Sequence, residues 1–300
     1  MTEPLLLCTD LDRTLLPNGA QPESPLARQY LSHFVCQSKV NLVYVTGRDK
    51  GLVLQAITDY QLPQADFVIS DVGTNIYDLR EGDWLAWPEW QKEIAQDWQG
   101  RTHQQLKALL LDIDALQLQE EAKQNTFKLS YYVALDVEQE ALHRSIEARL
   151  TDAGVMASLI WSIDEAEHIG LLDILPQRAT KLHAVEFLQQ SLAIAPQQTL
   201  FAGDSGNDLP VLASHIPAVL VNNAMESVKQ QAMAEADRQG NSAFLYIAQG
   251  GYLDMNGNYS AGILEGIAHY HPDLKQQIAA MVLAEAERSE SGAAKKVTND

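Results

Sequence analysis

The stretch LLLCTDLDRTLL, residues 5–16, places two carboxylates directly behind the first hydrophobic run of the chain. Asp10 ends the run, one residue intervenes, and Asp12 follows, with Thr14 two positions further on. Like charges this close repel each other unless a cation or a shared proton relieves them. One aspartate at the end of a strand is ordinary turn chemistry, whereas DxDxT indicates a site where another group balances the charge.

The composition narrows the class of protein. The chain has 300 residues, 46% of them hydrophobic, and a formal net charge of -19. This length predicts a large core in one large domain or two smaller ones. An acidic surface repels nucleic-acid phosphates and anionic lipids, so we expect neither as a partner. Of the two cysteines, Cys8 is expected as a buried thiol, and no disulfide framework is expected. With no basic N-terminal region and no stretch of membrane-spanning length, we expect a soluble cytoplasmic protein.

Strands and helices alternate along the first 80 residues. PLLLCTD, VNLVYVTG and ADFVISDVG have the continuous apolar character of strands inside a parallel sheet. Helical segments separate them, the first with Ser24 as N-cap and Pro25 at its first helical position. This βαβαβ order predicts an α/β fold with a Rossmann-like parallel sheet and helices on both faces.

The pattern changes between residues 81 and 170. A helical stretch from Lys92 to Leu111 precedes predicted strands and one more amphipathic helix. Helices followed by paired strands are typical of an α+β module, and the α/β order then resumes. We therefore predict a core domain formed by residues 1–80 and 171–300, with an inserted α+β cap domain formed by residues 81–170.

Polar residues follow several predicted strands of the core. Asp10 and Asp12 follow the first strand, Thr46 follows the second, and GDSGND at 203–208 follows a later one. Ligands bind outside the carboxyl ends of the strands in open parallel sheets. We therefore expect these groups to converge with Lys181, which begins a predicted helix.

Together these residues combine carboxylates, a metal site and a phosphate cradle. Clustered carboxylate oxygens suit Mg²⁺, a hard ion that also binds substrate phosphate. Thr46 and Lys181 offer a hydroxyl and a fixed positive charge to phosphate oxygens. With its charge masked by the metal, Asp10 can attack phosphorus and form an aspartyl-phosphate. Asp12 can protonate the leaving alkoxide and then activate water, since carboxylates in unlike environments divide into nucleophile and acid/base.

Four motifs resemble those of the haloacid dehalogenase (HAD) superfamily of phosphohydrolases. They are DLDRT at 10–14, VTGR at 45–48, Lys181, and GDSGND at 203–208, in the right order and at strand ends. The insertion between VTGR and Lys181 is similar to the α/β cap of the Cof-like branch.

Within that branch the chain most resembles the sucrose-phosphatase family. The resemblance lies in SDVGTNIY at 70–77, DILPQRATK at 173–181 and AGILEGIAHY at 261–270. Leu182 departs from the family, whose members usually place glycine after the lysine.

The resemblance implies a Mg²⁺-dependent phosphomonoesterase of a sugar phosphate, with sucrose 6-phosphate as the expected substrate and the upstream glycosyltransferase as a protein partner. It implies Asp10, Asp204 and the backbone carbonyl of Asp12 as metal ligands. Asp208 would hold a metal-bound water or orient Lys181. Substrate contacts are assigned to Thr46, Gly47, Asn207, Asp208 and Lys181 in the core, and to Lys128, Ser130 and Tyr131 in the cap. Because a strand alternates its faces, Lys128 and Ser130 share one face and Tyr131 takes the other, so all three reach one pocket only if the strand is bulged.

Other functions remain open from the sequence alone. The same chemistry fits a mannosylglycerate or glucosylglycerol phosphate, and a phosphomutase would pass the phosphoryl group back to a sugar. A non-enzymatic phospho-acceptor of the response-regulator kind would need Asp71 as its acceptor, after the third strand. A phospho-acceptor of this kind is not expected to have the large insertion or the later aspartates Asp204 and Asp208. A catalytically silent interaction subunit is disfavoured, since every expected catalytic position is filled.

Overall fold

The computed structural model describes residues 4–37, 39–164 and 167–297, with side chains described up to residue 284 apart from that of residue 37. The strands are β1 (Leu5–Thr9), β2 (Val40–Val45), β3 (Phe67–Ser70), β4 (Asn75–Asp78), β5 (Leu85–Ala86), β6 (Gln117–Leu118), β7 (Leu129–Val133), β8 (Ala157–Asp164), β9 (Ile169–Pro176), β10 (Thr199–Gly203), β11 (Ala218–Leu220) and β12 (Leu245–Ile247). The helices are α1 (Ala27–Gln37), α2 (Lys50–Tyr60), α3 (Pro88–Ala95), α4 (His103–Leu109), α5 (Gln139–Asp152), α6 (Lys181–Ser191), α7 (Leu209–Leu212), α8 (Glu226–Arg238), α9 (Ser260–Tyr270) and α10 (Pro272–Val297).

The larger of two sheets has the strand order β12-β11-β10-β1-β2-β3-β4-β5. From β12 to β3 neighbouring strands are parallel, which confirms the α/β prediction. The last two strands, β4 and β5, extend the sheet in the antiparallel sense. The chain reverses after β3 through a turn in which Asp71 and Val72 have left-handed backbone angles, φ 50° and 59°.

Alternate residues of the buried strands face two different hydrophobic layers. On β1, Leu6 and Cys8 belong to the layer that contains Val185 of α6, and Leu7 belongs to the layer that contains Ile263 of α9. Because helices cover both faces, the first strand is apolar at successive positions, as the sequence predicts for a parallel sheet. Cys8 is fully buried, as expected.

The second sheet is antiparallel, with the strand order β6-β7-β9-β8. One face of it is buried, through Tyr131 of β7 and Leu172 of β9, in the hydrophobic layer that also contains Ile146 of α5. This sheet supplies the cap-like module of the fold. The domain boundaries at residues 80 and 170 stay a prediction, and β9 pairs along its whole length within the second sheet.

Two predicted helices differ from those observed. Helix α1 begins at Ala27, because Leu26 has a left-handed φ of 63°, and the Ser24 hydroxyl accepts a hydrogen bond from the backbone N–H of Asn256 (2.9 Å). The prediction of Ser24 as N-cap is therefore wrong. The stretch predicted as one helix from Lys92 to Leu111 forms two helices, α3 and α4, which are separated by Gly100 at φ 75°; a capping box at Thr102 begins α4.

No helix in the described ranges has both the length and the apolar composition for a membrane crossing.

Candidate active site

Three carboxylates meet at the carboxyl edge of the larger sheet. Asp10 follows β1 and Asp204 follows β10, the strand paired beside it, while Asp208 lies in the turn that comes next. One oxygen from each of the three carboxylates lies within 4.8 Å of the others. All three residues are buried, with exposed fractions of 5%, 3% and 0%. The structure thus brings together side chains that are almost 200 positions apart in sequence.

Lys181 is the cation at the centre of this cluster. Its ammonium donates to Asp10 Oδ1 (2.9 Å), Asp208 Oδ1 (2.7 Å) and Asn207 Oδ1 (3.1 Å), and the residue is 2% exposed. The hydroxyl of Thr180 caps helix α6 and thereby fixes the point at which Lys181 leaves the backbone. Burial alone would lower the pKa of Lys181, but the two carboxylates raise it, so the ammonium stays charged.

Burial is the largest influence on the pKa values of the two candidate metal ligands, Asp10 and Asp204. It raises the pKa of Asp10 to about 7, with Lys181 opposing the shift and Asp208 adding to it. Burial, then the charge of Asp208, raises the pKa of Asp204 to about 6, while Arg13 acts in the opposite direction. Both groups therefore favour a bound proton or a cation more strongly than an exposed aspartate does.

Asp12 lies in a different environment. Burial would raise its pKa, but hydrogen bonds from Arg48 hold the pKa below its ordinary value. The guanidinium of Arg48 donates in bidentate fashion to both carboxylate oxygens (2.8 and 2.6 Å), and Asn18 Nδ2 adds a third bond (2.7 Å). The Asp12 carboxylate is therefore ionised and does not belong to the buried cluster. The two aspartates of DxDxT therefore lie in unlike environments, as a division into nucleophile and acid/base would require.

Asp208 shapes the loop that carries the later carboxylates. Its Oδ2 accepts hydrogen bonds from the backbone N–H of Asp204 and from both the N–H and the hydroxyl of Ser205, all at 3.2 Å. Gly203 permits this approach, since a Cβ there would lie 2.7 Å from the Asp208 carboxyl group. With its other oxygen bound to Lys181, Asp208 is placed to orient the lysine.

A cavity of about 330 Å³ opens over the cluster, and the residues that line it are Asp10, Asp12, Arg13, Gly47, Arg48, Leu52, Asp204, Ser205 and Asn207. Two of the predicted substrate contacts, Gly47 and Asn207, line this cavity. Thr46, another predicted substrate contact, is 1% exposed and does not line this cavity, and its hydroxyl accepts from the backbone N–H of Arg48 (3.2 Å).

The predicted cap contacts divide between two faces. The Lys128 ammonium is ion-paired with Asp71 (3.5 Å) and Asp173 (3.9 Å), and the Ser130 hydroxyl donates to Asp173 (2.5 Å). Tyr131 is 4% exposed within the hydrophobic core, and the structure does not bring it to the carboxylates. Burial raises the pKa of its phenol to about 12. The strand has the regular alternation of faces, so Lys128 and Ser130 share the polar face.

Sequence reasoning missed several residues of the site. Arg48 and Arg13 both line the cavity, and the Thr14 hydroxyl donates to Asp10 (3.4 Å) and Asp204 (3.3 Å). Both arginines and Thr14 stand inside the quoted motifs, but spacing along the chain does not reveal which acid a long side chain will meet.

A parallel sheet with this carboxylate cluster at its carboxyl edge, accompanied by an antiparallel cap-like sheet, defines a HAD-like hydrolase. The model of the sucrose-6F-phosphate phosphohydrolase family matches residues 3–271, and the chain belongs to this family. A HAD-like hydrolase of Nitrosococcus oceani is 50% identical over 275 residues, which cover 92% of this chain and 74% of the relative.

Two further relatives are described by their activity or ligands. The mannosylfructose-phosphate phosphatase of Agrobacterium fabrum is 27% identical over 266 residues, 88% of this chain and 96% of its own length. The crystal structure of the sucrose-phosphatase from Synechocystis sp. PCC6803, in complex with sucrose and phosphate, is 26% identical, has a TM-score of 0.66, and aligns over 90% of this chain and 98% of that one. Together with the family match, these relatives make the chain a HAD-like sugar phosphatase.

Proposed function

We propose that this protein hydrolyses sucrose 6-phosphate to sucrose and phosphate through an aspartyl-phosphate formed on Asp10. The observation that carries the proposal is the buried cluster of Asp10, Asp204 and Asp208, neutralised by Lys181 and open to a cavity of about 330 Å³. The relative with bound sucrose and phosphate supports this sugar.

The donor set fits a divalent cation. Asp10 and Asp204 belong to a group of three buried carboxylates with oxygens within 4.8 Å of one another, and hard oxygen ligands suit Mg²⁺. We assign the metal to Asp10, Asp204 and the backbone carbonyl of Asp12, and leave Asp208 to its bonds with Lys181 and the loop. When bound, Mg²⁺ supplies positive charge that offsets the charge of the phosphoryl oxygens.

Asp10 is the nucleophile in this mechanism. Its Oδ1 is held by Lys181 and its Oδ2 by Thr14, so the carboxylate has a fixed orientation beneath the cavity. An attacking carboxylate needs such positioning, because orientation contributes much of the rate of group transfer. Lys181 also places a buried positive charge beside the position that the transferred phosphoryl group would occupy.

Asp12 exchanges protons with the leaving group and with water. In its pair with Arg48 it is ionised and ready to accept a proton from the water that hydrolyses the aspartyl-phosphate. To donate a proton to the leaving alkoxide it must first be protonated, which the bond to Arg48 opposes. An incoming phosphate group competes for the Arg48 guanidinium, which lets the pKa of Asp12 rise, so that Asp12 can take a proton from solvent and pass it to the leaving alkoxide.

Sugar recognition is assigned to the polar face of the second sheet. Lys128 and Ser130 are 9% and 0% exposed there, and the ammonium and the hydroxyl both contact Asp173, so the ammonium is the group that a sugar hydroxyl would reach first. A site built to hydrogen-bond a hydroxyl rejects substrates that lack it, because its own polar groups are then left unpaired. Tyr131 supports this sheet from its buried face and is not proposed as a contact.

A second candidate substrate is mannosylfructose phosphate. It is favoured by the relative that acts on this phosphate and aligns with the present chain over 96% of its own length. Both sugars carry a phosphate for the same core residues, so the difference between them rests on the cap. A cytoplasmic location and an association with the glycosyltransferase that makes the sugar phosphate stay predictions.

The test is phosphate release by the purified protein from a panel of sugar phosphates, with Mg²⁺ and with a chelator. Sucrose 6-phosphate should have the highest kcat/KM, and Asp10→Asn should abolish turnover, since an amide cannot attack phosphorus. Faster turnover of mannosylfructose phosphate would replace the substrate assignment. Full activity in the chelator, or in Asp10→Asn after deamidation has been excluded, would contradict the chemistry.

A further inference from the structure

The cluster of carboxylates has a second cationic neighbour besides Lys181. Arg13 Nε lies 3.4 Å from Asp204 Oδ2, and the Arg13 side chain is 40% exposed where that of Asp204 is 3% exposed. Arg13 Nε makes no hydrogen bond within the described residues, so charge attraction rather than a directed bond holds the two groups together. The guanidinium lines the cavity over the site.

Arg13 and Lys181 neutralise different carboxylates of the cluster. Lys181 donates to Asp10 and Asp208, whereas Asp204 receives the hydroxyl of Thr14 at Oδ1 and faces Arg13 at Oδ2. A buried carboxylate is stable in its charged form only with such a partner. In the metal-free protein, Arg13 is therefore the counter-ion of the carboxylate that the proposed metal site needs.

We propose that Arg13 is a removable counter-ion of the metal site: it neutralises Asp204 in the metal-free protein and moves aside when Mg²⁺ binds. This inference rests on the metal site of the proposed function. A guanidinium and a divalent cation at one carboxylate repel each other, and Arg13, whose side chain is 40% exposed, can relieve the repulsion by turning into solvent, which the buried Lys181 cannot. Competition by Arg13 then sets how tightly the metal is held.

The backbone of Arg13 is fixed, so this displacement requires only side-chain rotation. Its N–H donates to Asn18 Oδ1 (2.8 Å), and its carbonyl accepts from Asn223 Nδ2 (2.6 Å). These two bonds hold the residue at a left-handed φ of 59°. Because the side chain itself is 40% exposed, it can leave Asp204 for solvent while the loop that carries Asp10 and Asp12 keeps its shape.

The competition has a measurable size. A single charge about 8 Å from a divalent cation in water lowers its affinity by roughly three- to ten-fold. Arg13→Met, which removes the charge and keeps an unbranched side chain, should therefore bind Mg²⁺ about three- to ten-fold more tightly in calorimetric titration with the metal alone. Arg13→Lys should restore affinity towards that of the parent, and high salt should reduce the difference.

A matched control removes the same charge elsewhere. Arg80 is 49% exposed and paired with Asp78 beside β4, so Arg80→Met should leave Mg²⁺ affinity unchanged. Thermal unfolding gives a second readout. Without metal, Arg13→Met should melt about 1–3 °C below the parent, since Asp204 loses the half-exposed cation paired with it, and saturating Mg²⁺ should abolish that difference.

The outcomes separate this inference from the proposed function. If the parent binds Mg²⁺ and Arg13→Met binds it equally or more weakly, the inference is overturned and the metal site stands. A melting difference that persists in saturating Mg²⁺ would likewise mean that Arg13 stays on Asp204 in the loaded protein. If the parent binds no Mg²⁺, the metal site and the inference both fail.

Discussion

Replacing Lys181 by methionine removes the ammonium that joins Asp10 to Asp208 while keeping a side chain of similar length. The two carboxylates are 5% and 0% exposed, and the lysine contacts them at 2.9 and 2.7 Å. Removing one partner of a buried ion pair costs about 3–5 kcal/mol, because an uncompensated charge remains buried. Asp10, whose pKa burial already raises to about 7, can relieve part of this by taking a proton. We therefore expect Lys181→Met to lower the free energy of unfolding of the metal-free protein by about 3 kcal/mol, the lower end of that range.

The assay is urea unfolding of the metal-free protein near neutral pH. Arg80→Met is the control, since the Arg80 side chain is 49% exposed in its pair with Asp78, whereas that of Lys181 is 2% exposed. Such an exposed pair should be worth about 1 kcal/mol or less. The loss of unfolding free energy in Lys181→Met should become smaller towards about pH 5, because protonation of Asp10 removes its repulsion with Asp208. A loss no larger than that of the control would refute the view that Lys181 neutralises this cluster.

Three further predictions follow from the same geometry. Asp12→Asn should lower kcat by about 10²–10⁴-fold, the usual contribution of general acid/base catalysis, and stopped-flow kinetics showing a near-normal rate would assign proton transfer to another group. Lys128→Ala should raise KM for sucrose 6-phosphate much more than KM for p-nitrophenyl phosphate, and equal effects on both would remove Lys128 from the sugar site. Mg²⁺ affinity should fall by about tenfold between pH 7 and pH 6 and more steeply below, since the metal must displace a proton from Asp10 and then a second one from Asp204, whose pKa values are raised to about 7 and 6. Calorimetry showing pH-independent binding between about pH 6 and 7 would contradict this.

The core of the site was predictable because its residues end hydrophobic strands. Asp10 and Asp204 follow mostly apolar runs, LLLCT at 5–9 and TLFAG at 199–203, and adjacent parallel strands bring their carboxyl ends together whatever the sequence separation. The bidentate pair of Arg48 with Asp12 was not predictable in the same way. Both residues stand inside recognisable motifs, but the direction of a long side chain depends on the tertiary fold.

Elsewhere tertiary contacts overrode local signals. Ser24 followed by Pro25 is a strong N-terminal helix signal, yet the hydroxyl of Ser24 binds the backbone of Asn256, 232 residues away, and the helix begins later. The alternation of β7 correctly separated Lys128 from Tyr131. It could not tell which face packs into the hydrophobic core, because that depends on helices distant in sequence.

The central claim is that Asp10 carries the phosphoryl group during turnover. The most direct measurement is a borohydride quench of the enzyme during turnover of sucrose 6-phosphate with Mg²⁺, followed by peptide mass spectrometry. Reduction of an aspartyl-phosphate converts the acid to the corresponding alcohol, and we expect this mass change at Asp10 and its absence in a quench without substrate. Turnover with Asp10 unmodified, or with the label on another residue, would contradict the account.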